Sequence, residues 1–293
     1  MMFPVWAVFG SASAVLSATM LLVQERFKVN GYVMAFWCKV VCATALIPFV
    51  IVQGLPRDPL FYAYVCSGAV IWAVSDVIFF NSISRAGAGA ISRLIPASVI
   101  FSFLLWFAVE PGLLDKYFAV PVRSGLIFLV LCLFAFSAAQ LKKCEVSMRA
   151  LRMIWFVLLA AVVGPLLTKK ATLHAPLAKG PASYVFVEAL SMMTLWLLYY
   201  AVKKPVSRAA FFEKQAWQGG IIVGSAMVLM VALDIMAYYY VDNPAYVSAL
   251  NLLDSVLILL FYRFIKHKDK GNIRAGLGVV ACAIALIILK AGV

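Results

Sequence analysis

Two stretches decide how this chain is read: IWAVSDVIFFNSISRAGAGAISRLIP at residues 71–96 and LMVALDIMAYYYVDNPAYVSALNLLD at residues 229–254. A shift of 158 residues lays one on the other without a gap, placing Asp76 on Asp234, Leu94 on Leu252 and Arg93 on Asn251. Each stretch is the core of an apolar run, a short polar or small-residue turn and a second apolar run, the pattern of a helical hairpin. A shift of 151 then pairs Arg123-Ser124-Gly125 with Arg274-Ala275-Gly276, at the start of the last apolar run of each half. The two halves therefore read as repeats of one another.

Outward from these hairpins, apolar runs bounded by charges, Gly or Pro predict spans at about 3–23, 31–53, 60–82, 86–109 and 125–141 in the first half. The second half continues at about 153–173, 181–202, 219–241, 244–265 and 275–292. Ten spans divide into repeats at residues 1–147 and 148–293, and the fold class is an all-α integral membrane protein of two five-helix repeats. An odd number of spans per repeat sends the second copy into the membrane from the opposite side, so the repeats are expected to be inverted. The composition agrees: 65% of residues are hydrophobic and 13% charged, too little polar surface for a soluble domain. The first run lacks a basic leader and is followed by Gln24-Glu25-Arg26-Phe27-Lys28, which reads as a retained helix.

The net charge of +13 sits in loops between apolar runs, where the positive-inside effect accounts for it without nucleic acid. Loops after odd-numbered spans carry 16 Lys and Arg against 7 in the other loops and the C-terminal end. That bias predicts both termini outside the cytoplasm of a plasma membrane, the inner membrane in a bacterium. Cys38, Cys42, Cys66, Cys132 and Cys282 lie in apolar runs and Cys144 in a loop. None has metal or CxxC spacing, and His174 and His267 fall in loops, so no metal or cofactor is expected.

Ionisable groups inside spans are costly unless paired or facing a cavity. Asp76 and Arg93 lie at equal distances from the turn near Ser84 and Arg85, so the hairpin predicts a contact between them near the midplane. Asp234 and Asn251 repeat the arrangement about Asp242-Asn243-Pro244. Lys39 follows Gly31 by eight residues and Glu188 follows Gly180 by the same interval, so these charges are expected to face one another across the repeat interface. Asp254 has no charged counterpart in the first repeat; it is either a proton-coupling site or a carboxylate held by neighbouring backbone. Trp72, one turn before Asp76, is a candidate for the cavity wall. Tyr199-Tyr200 and Tyr238-Tyr239-Tyr240 read as interfacial aromatics, and Pro48, Pro96 and Pro165 as breaks in the backbone ladder.

Leu158-Leu159-Ala160-Ala161 followed by Gly164 and Thr168-Lys169-Lys170 resembles the opening helix of an EamA-type repeat in the drug/metabolite transporter superfamily. Lys39 in the second span, and Ala86-Gly87-Ala88-Gly89-Ala90 before Leu94-Ile95-Pro96, are similar to that family's pattern. Asp254 departs from it, standing at the counterpart of Pro96. The resemblance implies a secondary transporter working by alternating access. Mixed charges suit a zwitterion: Lys39 or Arg93 for a carboxylate, and Asp76, Asp234 or Glu188 for an amine, with Asn251 and Trp72 lining. The expected partners are a small-molecule substrate, protons and membrane lipid. A flippase for an amphipathic or polyprenyl-linked substrate is the alternative, and an enzyme is disfavoured by the lack of a histidine within the spans.

Overall fold

A computed structural model describes residues 4–88, 96–141, 148–265 and 271–291, with side chains described for these except residues 86, 148–153 and 291. The described residues form helices and no strand. In order they are α1 (Val5–Phe27), α2 (Gly31–Gln53), α3 (Pro59–Ala86), α4 (Pro96–Val109), α5 (Gly112–Phe118), α6 (Pro121–Ala139) and α7 (Met148–Leu173). Then follow α8 (Gly180–Lys203), α9 (Arg208–Phe212), α10 (Lys214–Tyr239), α11 (Ala245–Asn251), α12 (Leu253–Phe264) and α13 (Ile273–Ala291). Among the described residues nine helices are long and apolar enough to cross a membrane, α11 and α12 counting as one; a tenth is added if α4 and α5, bent by 114°, form one span. This is the architecture of a multi-pass helical membrane protein. Large apolar side chains such as Ile51, Val52, Val122 and Leu277 stay exposed on its outer surface, as a hydrocarbon surround permits.

Local chemistry sets the helix ends. Asn30 accepts the Tyr32 N–H at 2.9 Å and opens α2, while Asp58 accepts the Leu60 N–H at 2.9 Å and opens α3 with Pro59 in its first turn. Gly87 closes α3 at a positive φ of 85° that a side chain would resist. The third span therefore runs to Ala86, four residues beyond its expected end, because Ile78 to Ser84 continue its helical ladder. Of the expected fourth span at 86–109, residues 89–95 lie outside the described residues, and Pro96–Val109 forms α4. The ninth is interrupted at Leu252, where α11 ends and α12 begins. The Leu252 N–H bonds Ala249 O at 3.1 Å and the Ser255 N–H bonds Leu252 O at 3.2 Å, both tighter turns than an α-helix makes. The short helices α5 and α9 were not anticipated from the apolar pattern; both are too brief to carry a readable period.

Helix α1 packs on α10 as α7 packs on α3, and α2 packs on α10 as α8 packs on α3. Helix α1 also meets α11 and α12, as α7 meets α4, while α2 with α8 and α6 with α13 form matched pairs. Both matched pairs run antiparallel. Tyr32, at the start of α2, donates to Trp196 O near the end of α8, and Lys179 Nζ lies 3.8 Å from the Cβ position of Gly54 at the other end. Arg123 Nε donates to Leu289 O at 2.7 Å and Asn272 N to Leu141 O at 2.8 Å, so the start of each of α6 and α13 meets the end of the other. One apolar cluster gathers around α2, α3, α8 and α10 and a second around α4, α6, α11 and α13.

Candidate functional site

Where the two clusters meet, a cavity of about 250 Å³ opens between α1, α2, α3, α4, α7, α8, α10 and the α11–α12 break. Lys39, Trp72, Asp76, Glu188, Asp234, Asn251 and Asp254 all line it. Arg93, the remaining residue expected there, lies outside the described residues, and with it the Asp76–Arg93 contact.

A buried ion pair joins Lys39 on α2 to Glu188 on α8. Lys39 Nζ donates to Glu188 Oε2 at 2.7 Å, and both side chains are almost wholly buried. Each residue lies within about one turn of the middle of its helix. Two charges so deep in apolar surroundings are tolerable only as a pair, which is the relationship expected from their matched spacing.

Asn251 Nδ2 donates to both carboxylate oxygens of Asp234, at 3.2 and 3.1 Å, so the second hairpin brings together the residues that equal depth predicts. Asp254 stands in the first turn of α12, where the helix N-terminus favours an anion. It accepts Ser17 Oγ at 2.8 Å and Ser255 Oγ at 3.0 Å. Its holders are thus side-chain hydroxyls, one of them from α1, and not the neighbouring backbone alone. Asp76 faces the cavity with no hydrogen-bond or ion-pair partner among the described residues. Its charged neighbours are Lys39 and Glu188.

Trp72 is seated by a glycine. A Cβ on Gly164 of α7 would fall 2.2 Å from Trp72 Cζ2, so the indole fills the space that a side chain would need. One turn on, Thr168 Oγ1 donates to Gly164 O at 3.0 Å and lies 2.9 Å from Tyr184 Oη, while Pro165 between them also lines the cavity.

Several cavity residues escaped the sequence reading. Tyr238, expected at the interface, is buried and lines the cavity, because the α11 break folds back over the end of α10. Beside it, though not itself lining the cavity, Lys169, counted with the loops, is buried on α7 and donates to Tyr238 O at 2.7 Å. Ser17 gave no signal and Thr168 none beyond its place in the family motif, since small hydroxyls in apolar runs are ordinary packing residues. Among the described residues no group of three His, Cys, Asp or Glu is placed to hold a metal ion.

A solved crystal structure of a protein superposes with a TM-score of 0.62 over 97% of this chain and 96% of its own, at 14% sequence identity. That likeness is one of fold. No family model matches the chain, and no curated protein matches it.

Proposed function

We propose that this chain is a secondary transporter that carries a small polar, amine-bearing metabolite across a membrane by alternating access around the cavity. The observation that carries this reading is the cavity itself: at mid-depth, drawn from both halves, and lined by ionisable groups that hydrocarbon alone would not retain. Membership of the drug/metabolite transporter superfamily, with an EamA-like repeat, is part of the proposal. It is supported by the small-residue contact of Gly164 with Trp72 within the motif that resembles that family.

Inverted repeats supply the mechanism. Lys39 and Glu188 occupy equivalent positions under the repeat, and equivalent residues touch only on the axis that relates them. Their helices run antiparallel, which supports an axis perpendicular to the spans and in the membrane plane. A second pair of contacts follows the same rule: Gly31 packs on Asn81, and Gly180 packs on Tyr239, which is Asn81 shifted by 158. Rocking one half against the other about such an axis would expose the cavity to each side in turn. Asp254, tied to α1 through Ser17 across the α11–α12 break, is our candidate for proton coupling. The loop charges support a plasma-membrane orientation with both termini outside the cytoplasm.

Purified protein in liposomes should accumulate a labelled amine-bearing substrate when a proton gradient is imposed, and lose that uptake when the gradient is collapsed. Absence of uptake across a broad panel of amines and amino acids would remove the transporter reading. A second reading, a flippase for an amphipathic molecule, is favoured by one feature. An apolar depression of about 320 Å³ on the outer surface between α4 and α7, walled by Phe101, Trp155 and Leu159, shares Ser98 with the cavity. Uptake of water-soluble substrate unaffected by Leu159→Trp, which fills the depression at a residue that does not line the cavity, would separate the first reading from the second.

A further inference from the structure

We infer that the cavity selects organic cations, an ammonium carried on an apolar body, over zwitterions, and that Asp76 is the residue that holds the ammonium. This rests on the reading of the cavity as the substrate site and narrows it. Three observations converge.

The first is that Lys39 is already committed. Its Nζ lies 2.7 Å from Glu188 in a buried pair, and Lys169, the other buried lysine nearby, is spent on the Tyr238 carbonyl and does not line the cavity. Among the described residues none offers the cavity a free cation for a ligand carboxylate. A zwitterion would instead bring its carboxylate toward Asp76, Asp234 and Asp254, and like charges in a poorly solvated space repel strongly.

The second is the difference between the two repeat-related acids. Asp234 receives the Asn251 amide on both oxygens, and Asp254 receives two hydroxyls. Asp76, equivalent to Asp234, has no hydrogen-bond or ion-pair partner among the described residues, and the attraction of its neighbour Lys39 is opposed by Glu188, to which that lysine is bound. A carboxylate turned into a cavity without a partner is costly unless a ligand supplies the counter-charge.

The third is the wall beside it. Trp72 lies one turn before Asp76 on the same face of α3, its ring held by Gly164, and Phe79 and Met230 continue an apolar lining. An aromatic face next to a carboxylate attracts a cation from two sides while accommodating its hydrocarbon.

The test is calorimetric binding to the full chain in lipid nanodiscs, using phenethylamine, phenylalanine and 2-phenylethanol as probes with one ring and different charges. Phenethylamine is expected to bind at least about 10-fold more tightly than either of the others, since only it pairs with Asp76 without adding an anion. Asp76→Asn should weaken it by about 30-fold or more, and Asp76→Glu should recover part of that loss. Phenylalanine binding as tightly as phenethylamine would overturn the inference. So would a failure of all three to bind, or a folded Asp76→Asn protein that binds phenethylamine like the wild type. If Asp76→Asn does not fold, the three-probe comparison on the wild-type protein still decides. Labelled phenethylamine that binds but does not cross proteoliposomes would leave this site assignment standing and remove the transport reading.

Discussion

At the scale of single residues, the interior depends on the buried Lys39–Glu188 pair. Removing one partner leaves a buried charge uncompensated, which costs about 3–5 kcal/mol in buried pairs, whereas removing both leaves only a packing defect. Lys39→Gln and Glu188→Gln should therefore each lower the thermal midpoint of the detergent-solubilised protein sharply, and the double variant should lie closer to wild type than either. Additive losses would mean that the two charges do not depend on each other. A second residue-scale prediction lies outside the spans. Asp58 accepts the Leu60 N–H and meets His174 Nδ1 at 2.8 Å, and these contacts, the backbone donor foremost, hold its carboxyl below the usual carboxylate range. A depressed folded pKa stabilises above the unfolded value of about 4 and ceases to do so as pH falls through the folded one. The difference in thermal midpoint between wild type and Asp58→Asn should be present at pH 7 and vanish in the acid range below about pH 4.

Residue identities were legible to different degrees. Charges in apolar runs stand out because the membrane makes them expensive, so the groups later found around the cavity could be named in advance. Equal spacing from Gly31 and Gly180 even indicated that Lys39 and Glu188 would meet. Ser17, Thr168, Tyr184 and Tyr238 were not legible as cavity residues, because hydroxyls and tyrosines occur at every depth of a helical bundle. Only the neighbours brought by other helices distinguish them.

At the scale of elements, helix approach is set by glycines whose counterparts differ chemically. A Cβ at Gly31 would lie 2.5 Å from Val77 O and 2.7 Å from the Asn81 backbone nitrogen, so α2 and α3 touch through main chain that cannot move aside. A Cβ at Gly180 would meet the Tyr239 hydroxyl at 1.9 Å, the far end of a side chain that can swing away by giving up its 2.8 Å bond to Ala175 O. Gly31→Ala should cost about 1–3 kcal/mol through helix displacement, and Gly180→Ala about 0.5–1.5 kcal/mol for one hydrogen bond. Unfolding of the two variants side by side checks the order; a reversed ranking would mean that α2 and α3 yield more easily than their contact implies. The break between α11 and α12 also belongs to this scale. The apolar run from 244 to 265 reads as one span, and hydropathy is blind to an interruption that keeps the same composition on both sides. The break is compensated locally, since Asp254 at the start of α12 meets its helix N-terminus and the Ser17 hydroxyl.

At the scale of the whole molecule, the proposal fixes which ends of the helices share a side. The start of α1, the α2–α3 and α7–α8 connections and the end of α13 lie together, as Lys290 bound to Asp242 at 2.5 Å and His174 bound to Asp58 illustrate. With 16 basic residues in the opposite set of loops against 7 here, reporters fused at the N-terminus and after Val293 should both show activity characteristic of the non-cytoplasmic side. A reporter in the 204–207 connection should show the reverse. Opposite results for the two termini would contradict an even number of spans, and cytoplasmic signals from both would invert the orientation while keeping the count.

What the sequence determined by itself was everything governed by the cost of placing a group in hydrocarbon. Apolar length specified the spans, the placement of Lys and Arg specified the candidate orientation, and rare charges marked the residues around the cavity. The 158-residue shift between hairpins made the halves comparable before any contact was known. What only the tertiary structure decided was how the charges without an expected partner are held, and which small polar groups join them. Asp254 is held from α1 by Ser17, Lys169 reaches the Tyr238 carbonyl, and Asp76 faces the cavity with no hydrogen-bond or ion-pair partner among the described residues. Hydrocarbon penalises every isolated charge alike, so a sequence shows that such groups need partners, whereas the crossing and direction of helices far apart in the chain choose which ones they obtain.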